Sequence, residues 1–152
     1  TQDSDGARSG MVLPPRVLGN GLRELDRLLD WLIVEAGRGA GVNSAAGGRR
    51  TDQRLRHFRG ALSLDDPDQA RLRALERSRL CLYHCRGVVR LGDFAGADVM
   101  TSGWYDDQPG KIALRQFAVG QMLAMSSEDL IEICAYYRML ADMLVDGLRP
   151  AA

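Results

Sequence analysis

Residues 66–89, DPDQARLRALERSRLCLYHCRGVV, read as one helix with its start signal attached. Asp66 suits the N-cap and Pro67 the first helical position, where a missing N–H costs nothing. Gln69 stands third, able to reach back to the cap. About five turns follow, to around Val89. Working outward, a second helix starts at Thr51, whose hydroxyl can cap it, and carries Leu55, Phe58, Ala61 and Leu62 inward before the Asp65-Asp66 break. Upstream, Leu18, Leu22, Leu25, Leu29, Leu32 and Ala36 recur at steps of three and four and predict an amphipathic helix over 16–36. Downstream, Ser126 with Asp129 three residues on opens a last helix facing Leu130, Cys134, Tyr137, Leu140 and Leu144 inward, ended by Gly147 and Pro150. Tyr136 and Tyr137 read as one ring in and one out.

Between these helices the chain is rich in glycine. Residues 37–50 hold five glycines and read as a flexible loop. Its Gly37-Arg38-Gly39-Ala40-Gly41-Val42 run has Val where a dinucleotide fingerprint needs its third glycine. No strand precedes it and no Gly-Lys-Ser/Thr follows, so nucleotide binding is rejected there. Residues 92–110 form a long connection with one short strand around Val99 or Trp104, and the Trp104-Tyr105 pair suits the core better than an exposed interface. Residues 111–125 fit neither a strict alternation nor a helical stripe, and Gly120 interrupts both. The expected fold class is therefore all-α: a helical bundle of four to five helices, with a long Gly-rich connection that has room for a short β-hairpin. Residues 1–13 are expected to be a disordered polar tail and 14–149 a single domain.

The composition, 45% hydrophobic and 26% charged over 152 residues, is that of a globular chain rather than a disordered one. No apolar run reaches the roughly 18 residues of a membrane span, and Thr1–Gly10 carries no apolar signal core, so a cytoplasmic location without membrane contact is expected. Three cysteines are too few and odd in number for a disulfide framework, and reduced thiols are expected. The zero net charge hides an uneven distribution. Residues 49–90 carry eleven Arg against five acids, whereas 91–152 carry four bases against nine acids. The middle third alone suits a polyanion, unless the acidic third folds back to neutralise it. Aromatic residues are not interleaved with the basic ones, as a single-strand stacking platform requires.

Two histidines are present, His57 and His84. His57, between Arg56 and Phe58, reads as an exposed residue on an Arg-rich helix. His84 follows Arg79 by five, with apolar residues between them. An arginine fork matches phosphate oxygens, and histidine exchanges protons near neutrality. RNA scission by internal attack asks for those two groups: one moves the proton of a 2′-hydroxyl or of the leaving oxygen, and the other stabilises charge on phosphorus. It demands no metal.

The segment Glu76-Arg77-Ser78-Arg79-Leu80-Cys81-Leu82-Tyr83-His84, followed by Gly87-Val88-Val89, resembles the Arg-x4-6-His signature of HEPN domains, with Leu80 where the family commonly has Asn. The resemblance implies Arg79 as the phosphate-contacting cation and His84 as the acid/base group of a metal-independent endoribonuclease. It also implies a homodimer with two motifs facing one cleft. Many members are toxins or antiphage effectors, so a protein antitoxin is an implied partner; others only bind RNA or serve as packing modules. Arg54, Arg56, Arg59, Arg77 and Arg86 are the RNA-binding candidates on the basic helices of 51–90. No cofactor is expected. Cys81, His84 and Cys85 stand at i, i+3 and i+4, with His57 and Cys134 the only soft candidates for a fourth zinc ligand. Without a Cys-x2-Cys pair, no metal site is assigned. Two alternatives stay open: Arg79 as a mere salt-bridge partner of Glu76 with His84 buried, and the whole chain as a non-catalytic all-α dimerisation or protein-interaction module.

Overall fold

The computed structural model describes residues 13–108, 110 and 112–148. The expected tail therefore lies outside the described residues except for Leu13, as does Pro150 at the far end. Among the described residues the chain is mostly helical: α1 (Pro15–Ala40), α2 (Thr51–Ala61), α3 (Gln69–His84) and α4 (Ser127–Leu148), with strands β1 (Val99–Tyr105) and β2 (Leu114–Ala118) between α3 and α4. The strands pair antiparallel, so the all-α expectation is corrected to helices plus a two-stranded sheet. None of these helices is long and apolar enough to cross a membrane.

α1 is the central element and packs against α2, α3 and α4. Its predicted stripe is real: Leu22, Leu29 and Ala36 are buried and Leu18, Leu25 and Leu32 half-buried. The helix runs four residues past the expected end, because Gly37 lies against the chain that follows. A Cβ there would collide with the Ser44 hydroxyl, which donates to the Ile33 carbonyl at 3.2 Å. Gly41, at φ 73°, ends the helix in the left-handed region. The expected loop then folds into a single 3-10 turn, Ser44–Gly47, packed on α2.

Thr51 is the first residue of α2 rather than its cap, and its hydroxyl donates to Asp26 Oδ2 at 2.9 Å. Leu55 and Phe58 face inward, but Ala61 and Leu62 are exposed, because the helix stops at Ala61. α3 starts at Gln69 instead of Pro67. The carboxylates of Asp66 and Asp68 are taken by Arg59 Nη1 at 3.1 and 2.6 Å, and Tyr136 also donates to Asp68 at 2.8 Å. A tertiary ion cluster has displaced the local cap.

β1 lies on α3 and brings Met100, Ser102 and the fully buried Trp104 into the core. The ladder is irregular between Thr101 and Tyr105, and α3 supplies the reason. The Gly103 N–H donates to Ser78 Oγ at 3.1 Å and its carbonyl accepts from Arg71 Nε at 3.2 Å, so both groups leave the sheet. Only glycine fits there, since a Cβ would strike the Leu75 side chain. Trp104 Nε1 donates to the Ala124 carbonyl at 3.1 Å, which settles that ring in the interior. The segment with no clear period over 111–125 holds β2, a turn at Gly120 (φ 94°), and a bridge from Met122 to Val88. In α4 the predicted cap forms: Asp129 N–H donates to Ser126 Oγ at 3.1 Å, and Ser126 N–H to Asp129 Oδ2 at 2.8 Å. Tyr137, Leu140 and Leu144 face the core as expected. Cys134, however, is exposed, Ile133 takes its place, and both Tyr136 and Tyr137 are buried.

Candidate functional site

α3 was expected to continue to Val89; it ends at His84, five residues short. Arg86 (φ 53°) and Gly87 (φ 82°) turn the chain left-handed, and the N–H groups of Cys85 and Gly87 both donate to the Cys81 carbonyl, at 3.0 and 3.1 Å. Val88 and Val89 are thereby freed to pair with the segment after β2: Val89 N–H donates to the Gln121 carbonyl at 2.9 Å. The consequence is that His84 occupies the last helical position, exposed, with its ring edge-on to Tyr83 at 4.9 Å between centroids. It is not the buried core histidine of the plainer alternative.

Gly19 brings α1 close to this end of α3. A Cβ on it would stand 3.0 Å from the Tyr83 nitrogen and 3.3 Å from the Arg79 carbonyl. Between the two helices lies a cleft of about 250 Å³ lined by Gly19, Arg23, Arg79, Leu80, Tyr83 and His84. Arg79 and His84 diverge by roughly 140° around an ideal helix, yet both border this one space. Among the described residues no carboxylate lines it. Arg23, one turn beyond Gly19 on the same face of α1, is exposed and adds a second cation that the sequence alone did not single out. The Gly19-to-Arg23 spacing was the available signal, but nothing local tied it to a motif sixty residues away.

Arg79 is loosely held. Its Nη2 lies 3.9 Å from Glu76 Oε1, so the expected ion pair exists at long range, while its Nε is buried without a hydrogen-bond partner among the described residues. Asp26 faces it from α1. Burial holds the Asp26 carboxyl above its ordinary range, opposed by the Thr51 hydroxyl and by the Arg79 charge. At the mouth, Arg16 sits 5.0 Å over the Tyr83 ring and donates to its hydroxyl at 3.4 Å, lowering the phenol below its usual value. The site is a small cationic cleft with an exposed imidazole on its rim.

The RNA-binding candidates divide. Arg54 is spent on Asp30 at 2.7 Å and on the Gly48 carbonyl, Arg59 is buried between Asp66 and Asp68, and Arg77 pairs with Asp93 at 3.3 Å. Arg56 and Arg86 are exposed and ion-pair with no described residue. His57 is exposed, as expected. Among the described residues no three His, Cys, Asp or Glu side chains are grouped to hold a metal ion. Cys81 is buried, donates to the Val88 carbonyl at 3.4 Å, and has its thiol pushed up to about 11 by burial, which suits packing rather than ligation. No protein-family model, curated protein or solved structure matches the chain.

Proposed function

We propose that this chain is a metal-independent endoribonuclease of the HEPN type, a helical bundle acting as a cytoplasmic homodimer. The observation that carries the reading is the cleft shared by Arg79 and His84, free of carboxylates and open to solvent at the histidine. A phosphodiester seated there meets the guanidinium of Arg79, with Arg23 opposite. A ribose 2′-oxygen attacks phosphorus, the bond to the 5′-oxygen breaks, and the products are a 2′,3′-cyclic phosphate and a 5′-hydroxyl. His84 moves a proton at one of the two oxygens, and Arg79 stabilises the charge that builds on the non-bridging oxygens. The proton transfer at the other oxygen, removal from the 2′-hydroxyl or delivery to the leaving 5′-oxygen, falls to a group from the other copy, whose motif faces the same cleft in a dimer. A toxin or antiphage role, with a protein antitoxin as partner, follows from the same resemblance.

The experiment is cleavage of a mixed-sequence RNA with EDTA present, by the native protein, His84→Ala and Arg79→Ala. Loss of about 10²–10⁴-fold in both variants is expected, with far-UV circular dichroism unchanged. Equal cleavage by all three overturns the mechanism. One observation favours a second reading, the non-catalytic interaction module: Leu28 and Trp31 on α1 and Ile131, Met139 and Met143 on α4 are exposed apolar side chains. Absence of cleavage combined with a stable dimer selects it.

A further inference from the structure

A cavity of about 670 Å³ lies away from the Arg79/His84 cleft, between α2 and the start of α3. It is lined by Arg50, Arg56, His57 and Arg73 together with the amides of Gln53 and Gln69, and no carboxylate is in the lining among the described residues. The spacing makes the arrangement: Gln53, Arg56 and His57 share one face of α2 with Gly60, and Gln69 and Arg73 are one turn apart on α3. Most arginines of these two helices are consumed internally, by Asp30, Asp66, Asp68, Glu132 and Asp93. Arg56 and Arg73 are exposed and ion-pair with no described residue. Arg50 also lines the cavity, but Asp52 takes its Nε at 3.0 Å and its Nη2 at 3.4 Å, and Glu76 lies 3.8 Å from the Nε. Gly60 lies in the lining beside open space: a Cβ there would meet nothing within 4 Å.

We infer that this cleft is a second phosphate-binding subsite, which holds the backbone of single-stranded RNA at a distance from the scissile bond. Arg56 and Arg73 supply the forks, and the glutamines and His57 donate to phosphate oxygens. The lining holds no Phe, Tyr or Trp, and its arginines outnumber its one imidazole, which points to contact with the phosphate backbone in preference to base stacking. The identity of the ligand rests on the RNA reading above; the cleft as an anion site does not.

The test is binding of a fluorescent 2′-O-methyl oligonucleotide, which cannot undergo internal attack, measured by anisotropy across a salt series. Arg56→Ala with Arg73→Ala is expected to weaken binding at least tenfold and to lower the slope of log affinity against log salt by about 1.4, for two phosphate contacts. Gly60→Glu, which places a carboxylate in open space, is expected to weaken it similarly, whereas Gly60→Ala leaves it unchanged. Unaltered affinity and slope in the double variant and in Gly60→Glu overturn the subsite. Failure of the catalytic reading leaves a different trace: no cleavage of ordinary RNA, with the arginine dependence of oligonucleotide binding intact. Inorganic pyrophosphate competing with the oligonucleotide in the native protein, but not in the double variant, supports an anion site; oligonucleotide binding that pyrophosphate does not displace overturns it.

Discussion

Arg71 and Arg79 lie about two turns apart on α3, and the protein treats them in opposite ways. Arg71 is buried and satisfied on every side: its Nε donates to the Gly103 carbonyl, Nη2 pairs with Glu132, and the guanidinium stacks 4.0 Å from the Tyr136 ring and 4.6 Å from Tyr105. It ties α3 to β1 and α4. Arg79 has one long ion pair, a buried Nε without a partner, and a cleft in front of it. Arg71 spends its donors on holding the fold together, whereas Arg79 keeps a buried Nε without a partner among the described residues and borders a cavity. Identical side chains on one helix thus carry different work, and burial on the β1 side against openness on the α1 side makes the difference.

The contrast can be broken most directly by truncation. Arg71→Ala leaves the buried Gly103 carbonyl without its donor and the half-exposed Glu132 without its partner, and is expected to cost about 1.5–3 kcal/mol in urea unfolding. Arg79→Ala is expected to cost less, about 1 kcal/mol, because it removes one long, half-buried ion pair. Equal costs in the two variants would abolish the distinction. A smaller effect comes from the helix contact that shapes the cleft. Gly19→Val presses its side chain against Tyr83 and should destabilise the protein by about 1–3 kcal/mol, with RNA cleavage lost beyond what stability explains. Retained cleavage would separate the cleft from the activity.

The smallest effect is in pH dependence. Asp26 has a folded-state pKa above its unfolded value, so its contribution to stability is complete below the ordinary carboxyl value, about 3.9, and is lost as pH rises through the raised one. Asp26→Asn should flatten that part of the stability curve and leave the protein slightly more stable at neutral pH. An unchanged curve would mean that the Thr51 hydroxyl and the Arg79 charge together cancel the cost of burying the carboxylate.

Which helices exist could be read from residue order, because a buried face repeats every three to four residues and Ser126 with Asp129 forms its cap from neighbours alone. The pairing of Arg79 with His84 was likewise visible, as a spacing. Chain ends and side-chain assignments were another matter. Asp66 and Asp68 could not be known to serve Arg59 and Tyr136, nor Val88 to leave α3 for Met122, because those partners come from distant parts of the chain. The same holds for β2, whose pattern is blurred because the ladder is cut where Ser78 and Arg71 capture Gly103.

What residue order determined by itself, then, is the set of amphipathic helices and the presence of an arginine and a histidine near the end of one of them, since periodicity and spacing are local properties. What tertiary structure alone decided is which cations remain free. Arg54, Arg59, Arg71 and Arg77 find acids or carbonyls across the fold, while Arg23, Arg56 and Arg73 face clefts without a carboxylate. The physical reason is that a charge is neutralised by proximity in space, and no single element contains both members of those pairs.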